Sequence, residues 1–200
     1  MTKTIVRIVA PSLLLLVAAA CSSTPGTLSP ESSASAPASP SSAGPQVPQV
    51  TSPLDVAKYE QDPCSALTST QAKQVIGAAR SSKDDGNVAP MCTWFDSDNS
   101  GISLGFLPGQ GGLATTYKNS IDAGGGYFEV SPAVSGYPAA FSAVYDSRKS
   151  GGCQIAVGVT NNETFTVSSL LRKSSPFYGD PCSLVTKIAE AAVTTIKAGA

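Results

Sequence analysis

The chain contains no histidine in 200 residues. This removes the commonest general base near neutral pH and the commonest metal ligand. Ser–His–Asp and Cys–His catalysis are excluded within the chain, as are histidine-dependent zinc sites. Charge is also sparse, at 14% Asp, Glu, Lys and Arg, where about 25% is usual. No basic block lies beyond the first few residues, so nucleic-acid binding has no electrostatic footprint. Polybasic clusters that attract anionic lipid are missing too. Aromatic residues make up only 6%, a poor supply for an unusually large hollow core.

What is present begins with a leader. Lys3 and Arg7 precede an apolar run from Ile8 to Val17, and Ala18, Ala19 and Ala20 follow. Residues 1–20 therefore read as a secretory signal peptide. The run is too short for a bilayer, which takes about 20 residues. Cys21 follows the small residues and resembles the lipidated cysteine of a lipobox, although Ala18 stands where leucine is commoner. The implied diacylglyceryl anchor would tether the chain to the cell membrane at its extracytoplasmic face; the alternative is an ordinary cleavage near Ala20. Residues 22–53 hold seven prolines among Ser, Ala and Thr, with Glu31 as the sole charge. Such composition cannot offset its ordering entropy and reads as an extended linker of the order of 100 Å. The expected plan is signal peptide 1–20, lipidated cysteine and linker 21–53, and one domain over 54–200. Removing Lys3 and Arg7 leaves 11 cations against 14 acids, a net charge near −3.

Four further cysteines, Cys64, Cys92, Cys153 and Cys182, lie in that domain. An even number in an oxidising compartment points to two disulfides. Three pairings are possible; Cys64–Cys92 with Cys153–Cys182 closes the two shortest loops and is favoured. A four-cysteine zinc site would use Cys-x-x-Cys pairs, and none is present. No metal or other cofactor is expected.

Asp62-Pro63-Cys64-Ser65 recurs as Asp180-Pro181-Cys182-Ser183. In each, an acidic cap and a proline at the first helical position predict a helix start. Short helical segments are expected at 63–67 and 69–76, the second opened by a Thr68/Gln71 capping box and closed by Gly77. Val185, Ile188, Ala189, Ala192 and Ile196 predict an amphipathic helix over 181–197. Leu113, Tyr117 and Ile121 mark another at 113–121. Between them the period falls to two. Strands are expected at Met91–Phe95, around Ile102–Phe106, near Phe128 and Val130, and at Phe141–Tyr145, Cys153–Val159 and Thr164–Leu170. The sum is an α+β fold: an antiparallel sheet of about five or six strands with one face covered by helices.

Asp62-Pro63-Cys64, Cys92-Thr93-Trp94, the lone strand cysteine Cys153 and Asp180-Pro181-Cys182 together resemble the actinobacterial lipoproteins of domain-of-unknown-function family 3558. The resemblance covers roughly residues 60–200, with the lipobox and linker. It implies an actinobacterial cell-envelope lipoprotein and no known activity. The element order is also similar to the Mog1/PsbP-like α+β fold. Gly136-Tyr137-Pro138-Ala139-Ala140 departs from the turn expected there.

Local clusters read more plainly. Asp96, Asp98, Ser100 and Gly101 imitate a calcium loop, but the twelfth position is Leu107 rather than Glu, so a hairpin turn is expected. Pro108–Gly112 and Gly124–Gly126 match no nucleotide fingerprint and read as loops. Arg80, Lys83, Asp84 and Asp85 read as a solvated loop, Trp94 as core, and most tyrosines as half-buried packing with a share available to line a groove. No nucleophile–base set assembles and no catalytic residue is expected. The leading expectation is a lipid-anchored, non-catalytic binding module whose partner is an envelope protein, glycan or lipid. The alternatives are a wall-glycan hydrolase using carboxylates such as Asp84 and Asp98, and a lipid carrier with an apolar cavity.

Overall fold

The computed structural model describes residues 46–122 and 126–199, without the side chains of residues 120–122. The signal peptide, Cys21, most of the linker, the Ile121 side chain and Gly124–Gly125 lie outside the described residues.

The chain runs through α1 (Ala57–Gln61), a 3-10 turn (Pro63–Ala66), α2 (Ser69–Ile76), β1 (Arg80–Asp84), β2 (Met91–Phe95), β3 (Gly101–Leu107) and α3 (Gly112–Asp122). It continues through β4 (Tyr127–Val134), β5 (Tyr137–Ala143), a second 3-10 turn (Arg148–Ser150), β6 (Gly152–Gly158), β7 (Thr164–Leu170) and α4 (Pro181–Gly199). The strands form one 7-stranded sheet in the order β1-β2-β3-β7-β6-β5-β4. Every neighbouring pair is antiparallel. The class is α+β, and the strand count is seven rather than five or six. Among the described residues no helix is long and apolar enough to cross a membrane.

The helices follow their end signals. Thr68 Oγ1 accepts from the Gln71 N–H at 3.2 Å, and Gln71 Oε1 accepts from the Thr68 N–H at 2.7 Å. This is the reciprocal capping box that starts α2, and Gly77 ends the helix in the left-handed region at φ 63°. The same Gln71 also donates to Ala191 O and accepts from Thr195 Oγ1, so it ties α2 to α4. At α4, Asp180 Oδ1 accepts from the Ser183 N–H at 3.2 Å. The first Asp-Pro-Cys-Ser copy behaves differently. Asp62 makes no side-chain cap, and the segment is a 3-10 turn.

Side-chain parity assigns the two faces of the sheet. Ile102, Leu104 and Phe106 on β3, Ile155 and Val157 on β6, and Phe165 and Val167 on β7 are buried in the main core. Leu184, Val185, Ile188, Ala192, Val193 and Ile196 of α4 fill it from above. Full burial of each large side chain contributes about 1.5–3 kcal/mol. The opposite parity carries a small second cluster, where Leu113 and Tyr117 of α3 meet Ala140 and Ala156. Helices therefore lie on both faces, not one, and α3 covers only part of its face. Val47 packs beside α3 and Val50 is buried, so ordered contacts begin before residue 54.

Two strand expectations need correction. Arg80–Asp84 is strand β1 and not a loop. All five residues are exposed, so no apolar alternation marks them; their pairing with β2 defines the strand. The strand expected at Phe141–Tyr145 lies earlier, at Tyr137–Ala143. Val134 pairs with Tyr137 around Ser135 (φ 50°) and Gly136 (φ 92°). Two consecutive positive φ values give the tight turn that suits strand twist, and Ser-Gly is its sequence mark.

The structure joins Cys64 to Cys92, with Cα atoms 4.9 Å apart, and Cys153 to Cys182, at 5.2 Å. One bond fixes the 3-10 turn to β2. The other fixes the first turn of α4 to β6. The second closes a separation of 29 residues, for which chain-entropy arguments give roughly 3–4 kcal/mol. The C153A/C182A double variant should lose about that much stability in urea unfolding, with a steeper slope because the unfolded chain without the cross-link exposes more surface.

Candidate functional site

The sheet has one face covered by α4 together with α1 and the first 3-10 turn, and one only partly roofed. Among the described residues, no helix covers the second face over β1, β2, β3 and β7. The strands that supply the core on one side supply short polar side chains on the other. Ser82 pairs with Thr93, Thr93 with Ser103, Ser103 with Ser168, and Ser168 with Gln154. These five residues form a single row across five strands, about 19 Å long at the usual interstrand spacing. Thr93 Oγ1 and Ser103 Oγ lie 2.8 Å apart within it. The row offers rotatable hydroxyls and one amide, each able to donate and to accept.

The adjacent row is Arg80, Phe95, Gly101 and Leu170. Leu170 is 70% exposed, and a Cβ at Gly101 would press on the Phe95 ring at 3.3 Å. The absent side chain keeps the floor clear. The Arg80 guanidinium lies 4.1 Å above the centre of the Phe95 ring, and its Nη2 donates to Asn99 Oδ1 at 2.7 Å. Arg172 follows β7, and its backbone N–H donates to Ser100 Oγ at 3.1 Å. Together these residues line an open groove of about 560 Å³. A second hollow of about 310 Å³ lies on the same face against α3, lined by Thr115, Ser142, Gln154 and Thr166 among others.

The charges divide into satisfied and unsatisfied groups. Arg148 binds Asp146 at 2.7 Å and Glu129 at 3.4 Å, and stacks on Tyr127. Hydrogen bonds from Arg148 hold the Asp146 carboxyl down to about 2, so this pair opens only as the pH falls through that value. Burial raises the Tyr127 phenol, whose hydroxyl accepts from the Gln154 N–H at 2.9 Å. Among the described residues, Arg148 is the only cation with a carboxylate within salt-bridge distance. Arg80 and Arg172 have none.

This chain belongs to the DUF3558 family. The family's sequence model, described as protein of unknown function (DUF3558), matches residues 16–195. No curated protein and no solved structure matches the chain.

The other sequence candidates of this DUF3558 member sit elsewhere. Asp96 Oδ1 accepts from the Asp98 and Ser100 N–H groups, closing the β2–β3 turn. Asp84 pairs with Met91 at one end of β2, whereas Asp98 lies past Phe95 at the other. About 13 Å of strand separates them, beyond the roughly 5–9.5 Å of glycosidase carboxyl pairs. Trp94 is buried in the core beside Cys92. Tyr59, Tyr117, Tyr127 and Tyr137 are buried, while Tyr145 is 76% exposed. The polar row itself was not singled out from sequence. Its signal was the Ser, Thr and Gly positions alternating with Ile, Leu, Phe and Val in residues 101–107 and 164–170, and only the register aligns them. Ser103→Ala should cost no more than about 1 kcal/mol, whereas Leu104→Ala, its neighbour on the buried side, should cost about 2–5 kcal/mol. Urea unfolding of the two variants checks this division between the faces.

Proposed function

We propose that this protein is a non-catalytic glycan-binding module of the cell envelope, anchored through lipid on Cys21 and held off the membrane by the Ser/Pro-rich linker. The bare, hydroxyl-lined sheet face carries this reading. A stable domain of this size ordinarily buries apolar residues on any sheet face that another element covers. Here the uncovered part carries an unbroken row of hydroxyls, with Leu170 and Met91 exposed beside it. A row of hydroxyls with an amide suits a ligand that itself presents many hydroxyls along an extended chain. Few side-chain torsions need freezing on contact, because Ser and Thr lose little rotamer freedom.

The tether fits this role. A leader ending in small residues before Cys21, followed by a proline-rich segment, would carry the domain outward to the wall polymer. The element order also fits a Mog1/PsbP-like fold, and the family resemblance an actinobacterial source. Fold analogy lends the function no weight. The separated Asp84 and Asp98 give the hydrolase reading no assembled pair. The open hollows on the sheet face favour surface binding over an enclosed lipid cargo.

The full mature protein should sediment with isolated murein sacculi. Ser168→Trp, which fills the row, should lower the bound fraction at least fivefold without changing thermal unfolding. Equal sedimentation of the variant and the parent would refute the assignment of this face.

A further inference from the structure

Two arginines are the cations of the groove beside the hydroxyl row. Arg80 and Arg172 line the same groove, and neither has a carboxylate partner among the described residues. Arg80 is also held in place. Its guanidinium carbon lies 4.1 Å from the centre of the Phe95 ring, and one N–H is held by Asn99 Oδ1. A guanidinium has five N–H donors, so most of its donor edge is left for a ligand. Stacking on a ring and a hydrogen bond to a turn residue reduce the entropy lost when an anion arrives. The chain as a whole is acidic, with 13 Lys and Arg against 14 Asp and Glu, so two unpaired arginines in one groove are a local reversal of charge.

We infer that this end of the groove is a carboxylate subsite, and that the ligand is an acidic glycan. The inference rests on the glycan-binding reading and adds the ligand's charge to it. The carboxylate would sit against Arg80, in the planar, two-pronged pairing that guanidinium favours, with Arg172 supplying the second positive charge. The sugar hydroxyls of the same chain would then fall on Thr93, Ser103 and Ser168, which lie in the same groove. The apolar edge of a sugar ring has Leu170 to rest on. A planar monoanion matches a single flat guanidinium.

Calorimetry on the full mature chain tests this, with hexagalacturonate as the acidic probe and maltohexaose as its neutral counterpart. The acidic probe should bind at least tenfold more tightly than the neutral one, and less tightly as salt rises. R80Q and R172Q should each weaken it at least tenfold, R80K should weaken it less than R80Q, and K149Q should leave it unchanged. Thermal unfolding confirms that each variant is folded. Equal affinity for both probes, an unchanged R80Q, or inorganic phosphate competing as well as the uronate would overturn the inference. If both probes bind equally and Ser168→Trp abolishes both, the glycan-binding reading stands and only the charge assignment falls. If neither probe binds and the protein does not sediment with sacculi, both fall.

Discussion

The packing of α4 against one face of the sheet is the constraint on which the rest of the molecule depends. Leu184, Val185, Ile188, Ala192, Val193 and Ile196 form one apolar stripe, and the inward residues of β3, β6 and β7 meet it. Because strand side chains alternate, choosing the face that receives α4 also chooses the face that does not. The Cys153–Cys182 bond fixes where this helix begins relative to β6. Cys64–Cys92 fixes the 3-10 turn to β2 on the same side. Both disulfides thus reinforce the sealed side and leave the other free of structural duty over four strands.

That freedom is what function can use. A sheet face needs no polar row to be stable; it needs only to avoid exposing a large apolar patch. Much of the second face is Ser, Thr and Gly, and its row of hydroxyls runs across four strands to Gln154 on a fifth. It also places two arginines in one groove with no carboxylate within salt-bridge distance among the described residues. Arg148 shows the contrast, since it is paired with Asp146 and Glu129 and stacked on Tyr127. What sets Arg80 and Arg172 apart from the unpaired lysines is their place in one groove beside the hydroxyl row.

Much of the fold was legible. The capping box at Thr68 and Gln71, the left-handed Gly77 and the stripe from Val185 to Ile196 are local signals, and each appears where its chemistry places it. Three features were not legible, for different reasons. β1 has no apolar residue in Arg80–Asp84, so only its partner strand reveals it. The β5 boundary turned on Ser135-Gly136, a two-residue turn that apolar periodicity does not weigh. The stripe of α3 says that one side is buried but not which face of the sheet it meets. The candidate site depends on register between strands distant in sequence. Thr93, Ser103 and Ser168 look like ordinary solvent-side positions until the pairing sets them side by side.

The central claim is that the face opposite α4 is the recognition surface, and amide chemical-shift mapping tests it most directly. Soluble wall-glycan fragments titrated into the labelled mature protein should shift the amides of Thr93, Ser103, Ser168 and Leu170 while those along α4 stay still. Shifts concentrated on α4, α1 or α2, with the polar row unmoved, would contradict the account.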